Sequence, residues 1–186
     1  MRARFAITQT AIVGVRVIER TRMGDARGFL ERLFDADELA ASGWTWPIIQ
    51  INHTRTTTRG TLRGLHYQRP PVAEAKIVTC VRGAVLDVVL DLRGGSPTRG
   101  RVHAEDLSEA NRRALMIPPG CAHGFQALTD GVELIYLHSA AYAPAHEGGV
   151  DPLDPALGIV WPIANPTFSD RDCGHPAFAA TEAIIL

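Results

Sequence analysis

"KIVTCVRGAVLDVVLDLRGGSPT", residues 76–98, decides the fold class. Apolar residues dominate on both sides of Arg82-Gly83, and Val85, Val88, Val89 and Leu90 make the second half β-prone. The stretch reads as two strands around Arg82-Gly83, closed by the turn chemistry of "RGGSPT". "RALMIPPGCAHGFQAL" and "VELIYLHSAAYAP" downstream supply further strands. Many short strands with Gly and Pro punctuation indicate a β-sandwich or barrel. Helix signals are few. "LFDADELAASG" is the clearest, with Asp35 as N-cap and Gly43 beyond its end, and a short helical turn is expected from Ser108 in "LSEANRRA". The Pro-rich stretch after Asp151 is expected to wrap the barrel as loops and short helices. No linker or repeat divides residues 1–186, so one domain is expected.

Bulk composition narrows the function class. The chain has 186 residues, 46% of them apolar, enough for a sizeable core. It contains no run of about 18 apolar residues that would cross a membrane. The start, "MRARFAITQTAIVGVRVIER", lacks the apolar core and cleavage site of an export signal. Three cysteines, Cys80, Cys121 and Cys173, show no paired spacing, which argues against a disulfide framework and for the cytoplasm. A net charge of -1 gives no overall field toward nucleic acid or membrane. Of 19 cationic residues only Lys76 is a lysine, and an ammonium kept among guanidinium groups draws attention to that position.

Four segments carry chemistry. "RGTLRGLHYQRPP", residues 59–71, packs His66 among arginines. Its distance from Lys76 would put the two on neighbouring strands or one long hairpin, facing one cavity. "IPPGCAHGF" places His123 after Pro-Pro-Gly, similar to the second half of the cupin signature, in which barrel histidines hold a metal. The first half would need a His-x-His pair, and here Gln68 stands where the second histidine belongs. Two histidines without a third ligand do not make an ordinary metal site, so a barrel working without metal is expected. "YLHSAAYAP" carries Tyr136 and Tyr142, either packing residues or proton donors. In "FSDRDCGHP" either Asp170 or Asp172 could orient a histidine.

In the order "GDARGF", "QINHT", "GTLRGLHYQ-PP", "K-V-CVRG-V-DVV-DLR-GSPT", "LSEANRRAL-IPPGCAHGF", "IYLHSAAYAP" and "DPALGI-WP", the chain resembles the dTDP-4-dehydrorhamnose 3,5-epimerase family from about Gly24 to Pro176. The resemblance implies an all-β, cupin-like jelly-roll barrel with short peripheral helices. It also implies a homodimer, no cofactor, and a dTDP-4-keto-6-deoxyhexose as substrate. It makes His66 the general base, Asp172 its orienting partner and Tyr136 the proton donor on the opposite face. Lys76, Arg63 and His123 would line the sugar and diphosphate, with Lys76 also a catalytic group. Arg27, Gln50 and Asn52 would hold the nucleotide, Tyr142 would stack on its base, and Glu147 and Arg171 would lie on the substrate side. The chain departs from the family at Arg32, beside Glu31, where an acid is frequent. It departs again at Ile51, where Asp is frequent, and at Pro152 to Asp154, which replace Trp-Asn-Asp. These positions bear on nucleotide grip and on which carbon is inverted.

The residue chemistry agrees with that expectation. A C4 carbonyl acidifies the hydrogens on C3 and C5, and a histidine of near-neutral pKa can remove one. A carboxylate on its other nitrogen fixes the tautomer. Lys76 and Arg63 are candidates to stabilise the enolate oxygen, and inversion needs a second acid on the far face. Three other readings stand beside this one: an enzyme acting at C3 or C5 alone, a metal-dependent cupin, and a sugar-nucleotide-binding module without catalysis.

Overall fold

The computed structural model describes residues 4–186, so the first three positions of the N-terminal stretch read above lie outside it. Among the described residues the chain runs β1 (Phe5–Gln9), β2 (Arg16–Arg20), β3 (Arg22–Asp25), β4 (Gly28–Glu31), α1 (Ala36–Ala40), β5 (Gln50–Thr56) and β6 (Leu62–Gln68). It continues with β7 (Lys76–Arg82), β8 (Ala84–Asp91), β9 (Val102–Ser108), β10 (Arg113–Ile117), β11 (Cys121–Ala127), β12 (Val132–His138) and β13 (Glu147–Gly149). A six-stranded sheet has the order β1-β2-β10-β7-β12-β5, and a five-stranded sheet the order β13-β6-β11-β8-β9. Every pairing between these strands is antiparallel. The two sheets close over each other as a cupin-like jelly-roll barrel, and β3 and β4 form a separate hairpin.

Strand alternation explains the packing. Along β7, Val78 and Cys80 face the core between the sheets, while Ile77 faces out onto Leu39 of α1 and Trp44. Along β8 and β11, Val85, Val89, Cys121 and Phe125 point inward. Val88, Leu90 and Ala122 point outward and are covered by Val150, Leu157 and Ile184 of the C-terminal stretch. Both outer faces are therefore roofed, which is why β7 and β11 are buried on both faces and not on alternate residues. The C-terminal wrap consists of loops and single 3-10 turns at Pro155–Leu157, Asp172–Gly174 and Phe178–Ala180, as expected. Helix α1 also matches: Asp35 caps it by accepting from Glu38 N–H, and Gly43 follows with φ +102°.

The structure meets one expectation at its minimum and corrects another. Ser108 ends β9 and opens the expected short helical turn, which does not extend into a helix. A single Arg112 N–H to Ser108 C=O bond turns the chain there, while Asn111 Oδ1 accepts from the Ser108 and Arg113 N–H groups. Those side-chain bonds compete with continued helix, and Arg112 leaves at φ 58° straight into β10. His66 and Lys76 do not share a hairpin or neighbouring strands. β6 and β7 belong to different sheets, so the two residues face one another across the barrel.

Candidate active site

One mouth of the barrel opens into a cavity of about 300 Å³. The period of two that buries the core at one end delivers polar side chains at the other. On β12, Val132 and Leu134 point into the core, and the next two residues on that face are Tyr136 and His138. On β7 the same face runs from Cys80 and Val78 to Lys76. The five-stranded sheet answers with His66 and Gln68 on β6 and His123 on β11, His66 and His123 being register partners. β6 and β11 come close beside them because both carry glycine. A Cβ on Gly64 would lie 2.6 Å from Gly124 Cα, and one on Gly124 would lie 2.6 Å from Arg63 O.

His66 Nε2 lies 2.7 Å from Oδ1 of the buried Asp172, which the Asp172–Gly174 turn brings under β6. Of the two acids left open by the sequence, Asp172 is the one that meets the histidine. Burial opposes its ionisation, but the hydrogen bond and charge of His66, with Gly64 N–H and Ser169, outweigh it and hold the carboxyl below its usual range. With Asp172 ionised, Nε2 is assigned as the donor to Oδ1, which leaves Nδ1 as the lone-pair nitrogen, and among the described residues no protein group hydrogen-bonds Nδ1.

Across the cavity Tyr136 stacks on His138 at 5.8 Å and meets His123 edge-on at 5.9 Å. Burial, reinforced by the Asp87 charge, pushes its phenol pKa well up, so the ring stays protonated at neutral pH. His123 Nε2 lies 2.9 Å from both oxygens of fully buried Asp87. Lys76 Nζ lies 2.8 Å from Glu74 Oε1, and Glu74 Oε2 lies 2.7 Å from His138 Nδ1. Burial works to raise the Glu74 pKa, but the Lys76 ammonium and the two hydrogen bonds win and hold it at about 2.

That depressed carboxyl has a testable sign. Its stabilising effect is complete above the ordinary value of 4.5 and is lost as pH falls toward 2. Glu74→Gln is therefore expected to be less stable than wild type at pH 7, with the gap narrowing by pH 3. Chemical denaturation at both pH values measures it, and a gap independent of pH contradicts the assignment.

At the mouth, Glu147 Oε2 accepts from Tyr142 Oη and from Arg171 Nη1, both at 2.8 Å. Asn52, Arg63 and Phe125 complete the rim. Nine of the expected residues thus line the cavity: Asn52, Arg63, His66, Lys76, His123, Tyr136, Tyr142, Glu147 and Arg171. Asp172 sits behind His66. Gln50 does not line it but braces it, donating to Asn52 Oδ1 and accepting from Tyr142 N–H. Arg27 sits on the β3–β4 hairpin, paired with Asp25 at 2.6 Å, and is not among the residues lining this cavity within the chain. The departures have local partners: Arg32 pairs with the helix cap Asp35, Glu31 with Arg20 and Arg22, and Pro152 O accepts from Trp161. Ile51 points out, 63% exposed. The sequence reading missed Glu74, Asp87, His138 and His175.

The chain matches the family model described as dTDP-4-dehydrorhamnose 3,5-epimerase over residues 9–180. It is 39% identical over 180 residues to a dTDP-4-dehydrorhamnose 3,5-epimerase of Shigella flexneri, covering 96% of this chain and 99% of that one. It is 44% identical over 162 residues to a dTDP-4-dehydrorhamnose 3-epimerase of Streptomyces niveus, covering 87% and 78%. Among solved structures it resembles dTDP-6-deoxy-D-glucose-3,5-epimerase of Legionella pneumophila in complex with dTDP-4-keto-L-rhamnose. That match has a TM-score of 0.91 at 35% identity and covers 96% of this chain and 95% of that one.

Proposed function

Because the chain belongs to the dTDP-4-dehydrorhamnose 3,5-epimerase family, we propose that it inverts C3, C5 or both of a dTDP-4-keto-6-deoxyhexose through an enolate. One observation carries the reading. A histidine polarised by a buried aspartate and a protonated tyrosine line a single cavity from opposed sheets. Inversion needs that arrangement, because the proton leaves one face of the carbon and another arrives on the opposite face.

In this reading His66 Nδ1 takes the hydrogen on C3 or C5. The C–H electron pair becomes the C=C bond of the enolate, and the charge moves to the C4 oxygen. Asp172 stabilises the imidazolium that forms. Lys76, held in place by Glu74, is the cation aimed at the enolate oxygen, with His123 on Asp87 beside it. Tyr136 then returns a proton from the far face. Arg63 and Arg171 offer forks for the diphosphate, and half-exposed Tyr142 is a stacking platform for the base. Every step uses side chains of this chain, so the reaction is read as needing neither metal nor cofactor.

The reading also treats residues 1–186 as one domain, supported by the family match over 9–180. It includes a homodimer, supported by the apolar Met23, Phe29 and Leu30 that hairpin β3–β4 leaves exposed. A partner's hairpin is the route by which an Arg27 side chain would reach a nucleotide. Incubation with dTDP-4-keto-6-deoxyglucose in deuterated water tests the activity: deuterium is expected at C3, C5 or both, and none at either carbon ends the reading.

A further inference from the structure

His175 is conspicuous because nothing above uses it. Its ring packs against Gly149, where a Cβ would come within 2.2 Å of it. Its Nε2 is buried and has no hydrogen-bond partner. An imidazole nitrogen left without a partner in a polar site costs free energy. That nitrogen lies 3.6 Å from Asp172 Oδ1, the same oxygen that sits 2.7 Å from His66 Nε2. One ligand atom from each of His66, Asp172 and His175 falls within 4.8 Å of the others. Tetrahedral zinc with bonds of about 2.0–2.2 Å needs donor atoms roughly 3.3 Å apart. The 2.7 and 3.6 Å spacings from Asp172 Oδ1 to the two imidazoles bracket that value.

We propose that His66, Asp172 and His175 form a binding site for a borderline divalent transition cation such as Zn²⁺, and that its occupancy switches the epimerase off. Two imidazoles and one carboxylate favour zinc-like ions over Mg²⁺ or Ca²⁺, which take oxygen ligands. The inhibition rests on the reading of His66 as base and follows from its tautomer. With Nε2 assigned as the hydrogen-bond donor to Asp172, Nδ1 keeps the lone pair in the free protein. A cation on Nε2 takes that nitrogen's lone pair, so the neutral ring must carry its proton on Nδ1. The base is then capped without any change in the ring's proton count. The guanidinium of Arg171, 3.2 Å from His66 Nε2 and 3.8 Å from Asp172 Oδ1, competes for the same place. It is half exposed, so it can swing toward solvent by giving up its pair with Glu147.

The test is calorimetric titration of chelator-treated full-length protein with Zn²⁺, without substrate, so binding is read whether or not the sugar is turned over. One ion per chain is expected, with His175→Ala weakening the affinity tenfold or more. His175→Asn, closer in shape, serves as the second variant, and circular dichroism checks both folds. Co²⁺ in place of Zn²⁺ should give visible ligand-field bands without thiolate charge transfer, unchanged in Cys173→Ser. Turnover should fall as Zn²⁺ fills the site and return with chelator, and His175→Ala should need at least tenfold more Zn²⁺ for half inhibition. No binding, wild-type affinity in both His175 variants, or thiolate coordination overturns the site. Bound Zn²⁺ that leaves turnover intact overturns the switch, and chelator-abolished activity would make the metal a cofactor instead.

Discussion

His66→Ala is expected to lower the epimerisation rate by about 10²–10⁴-fold or more while leaving the barrel folded. The size of the loss follows from what alanine cannot do. Carbon acids beside a carbonyl surrender a proton slowly to water, and the variant leaves no base where His66 stands in front of Asp172. His123 carries the same kind of carboxylate partner in Asp87, but it is buried and sits on the next strand, β11, edge-on to Tyr136. The fold should survive. His66 is only partly buried at 24% side-chain exposure, and Asp172 keeps Gly64 N–H and Arg171 as neighbours. Single-turnover kinetics beside a thermal melt separates the two effects. Activity equal to wild type in a folded protein would remove His66 as the base.

Tyr136→Phe is expected to cut product formation strongly while deuterium exchange into the substrate persists. Abstraction by His66 and reprotonation by Tyr136 are separate events on opposite faces, and the variant removes the second alone. Phenylalanine keeps the ring that stacks on His138 and meets His123 edge-on, so the cavity wall should hold its shape. The enolate in the variant can still recover a proton from the imidazolium on its original face. That returns starting material carrying solvent deuterium. Equal loss of exchange and product would instead make Tyr136 a group that positions the substrate or stabilises the enolate.

Much of this architecture was legible in particular residues. Valines around Arg82-Gly83 gave β7 and β8, and the unique lysine, Lys76, proved to be the ammonium held in the cavity. Other parts were hidden for physical reasons. Glu74 lies in the Pro-rich approach to β7 and reads as a solvated acid; only the fold reveals that Lys76 and His138 close on it. Asp87 carried a usable signal, a charge in the middle of a valine strand, which burial tolerates only when it is paired. His175 follows a glycine in a turn, and its closeness to His66 depends on a 109-residue loop closure that no local pattern encodes. The expected turn at Ser108 stays a single one because its Ser and Asn side chains bond the backbone locally. Arg27 lies on a two-stranded hairpin apart from the two barrel sheets, so its role cannot be read from one chain.

Proton NMR of dTDP-4-keto-6-deoxyglucose in deuterated water with the protein tests the central claim most directly. The account predicts that the C3 or C5 proton signal, or both, disappears as deuterium enters, with product signals of the inverted configuration at the exchanging carbon. Purified wild-type protein that leaves both protons in place, with the sugar nucleotide intact, would contradict it.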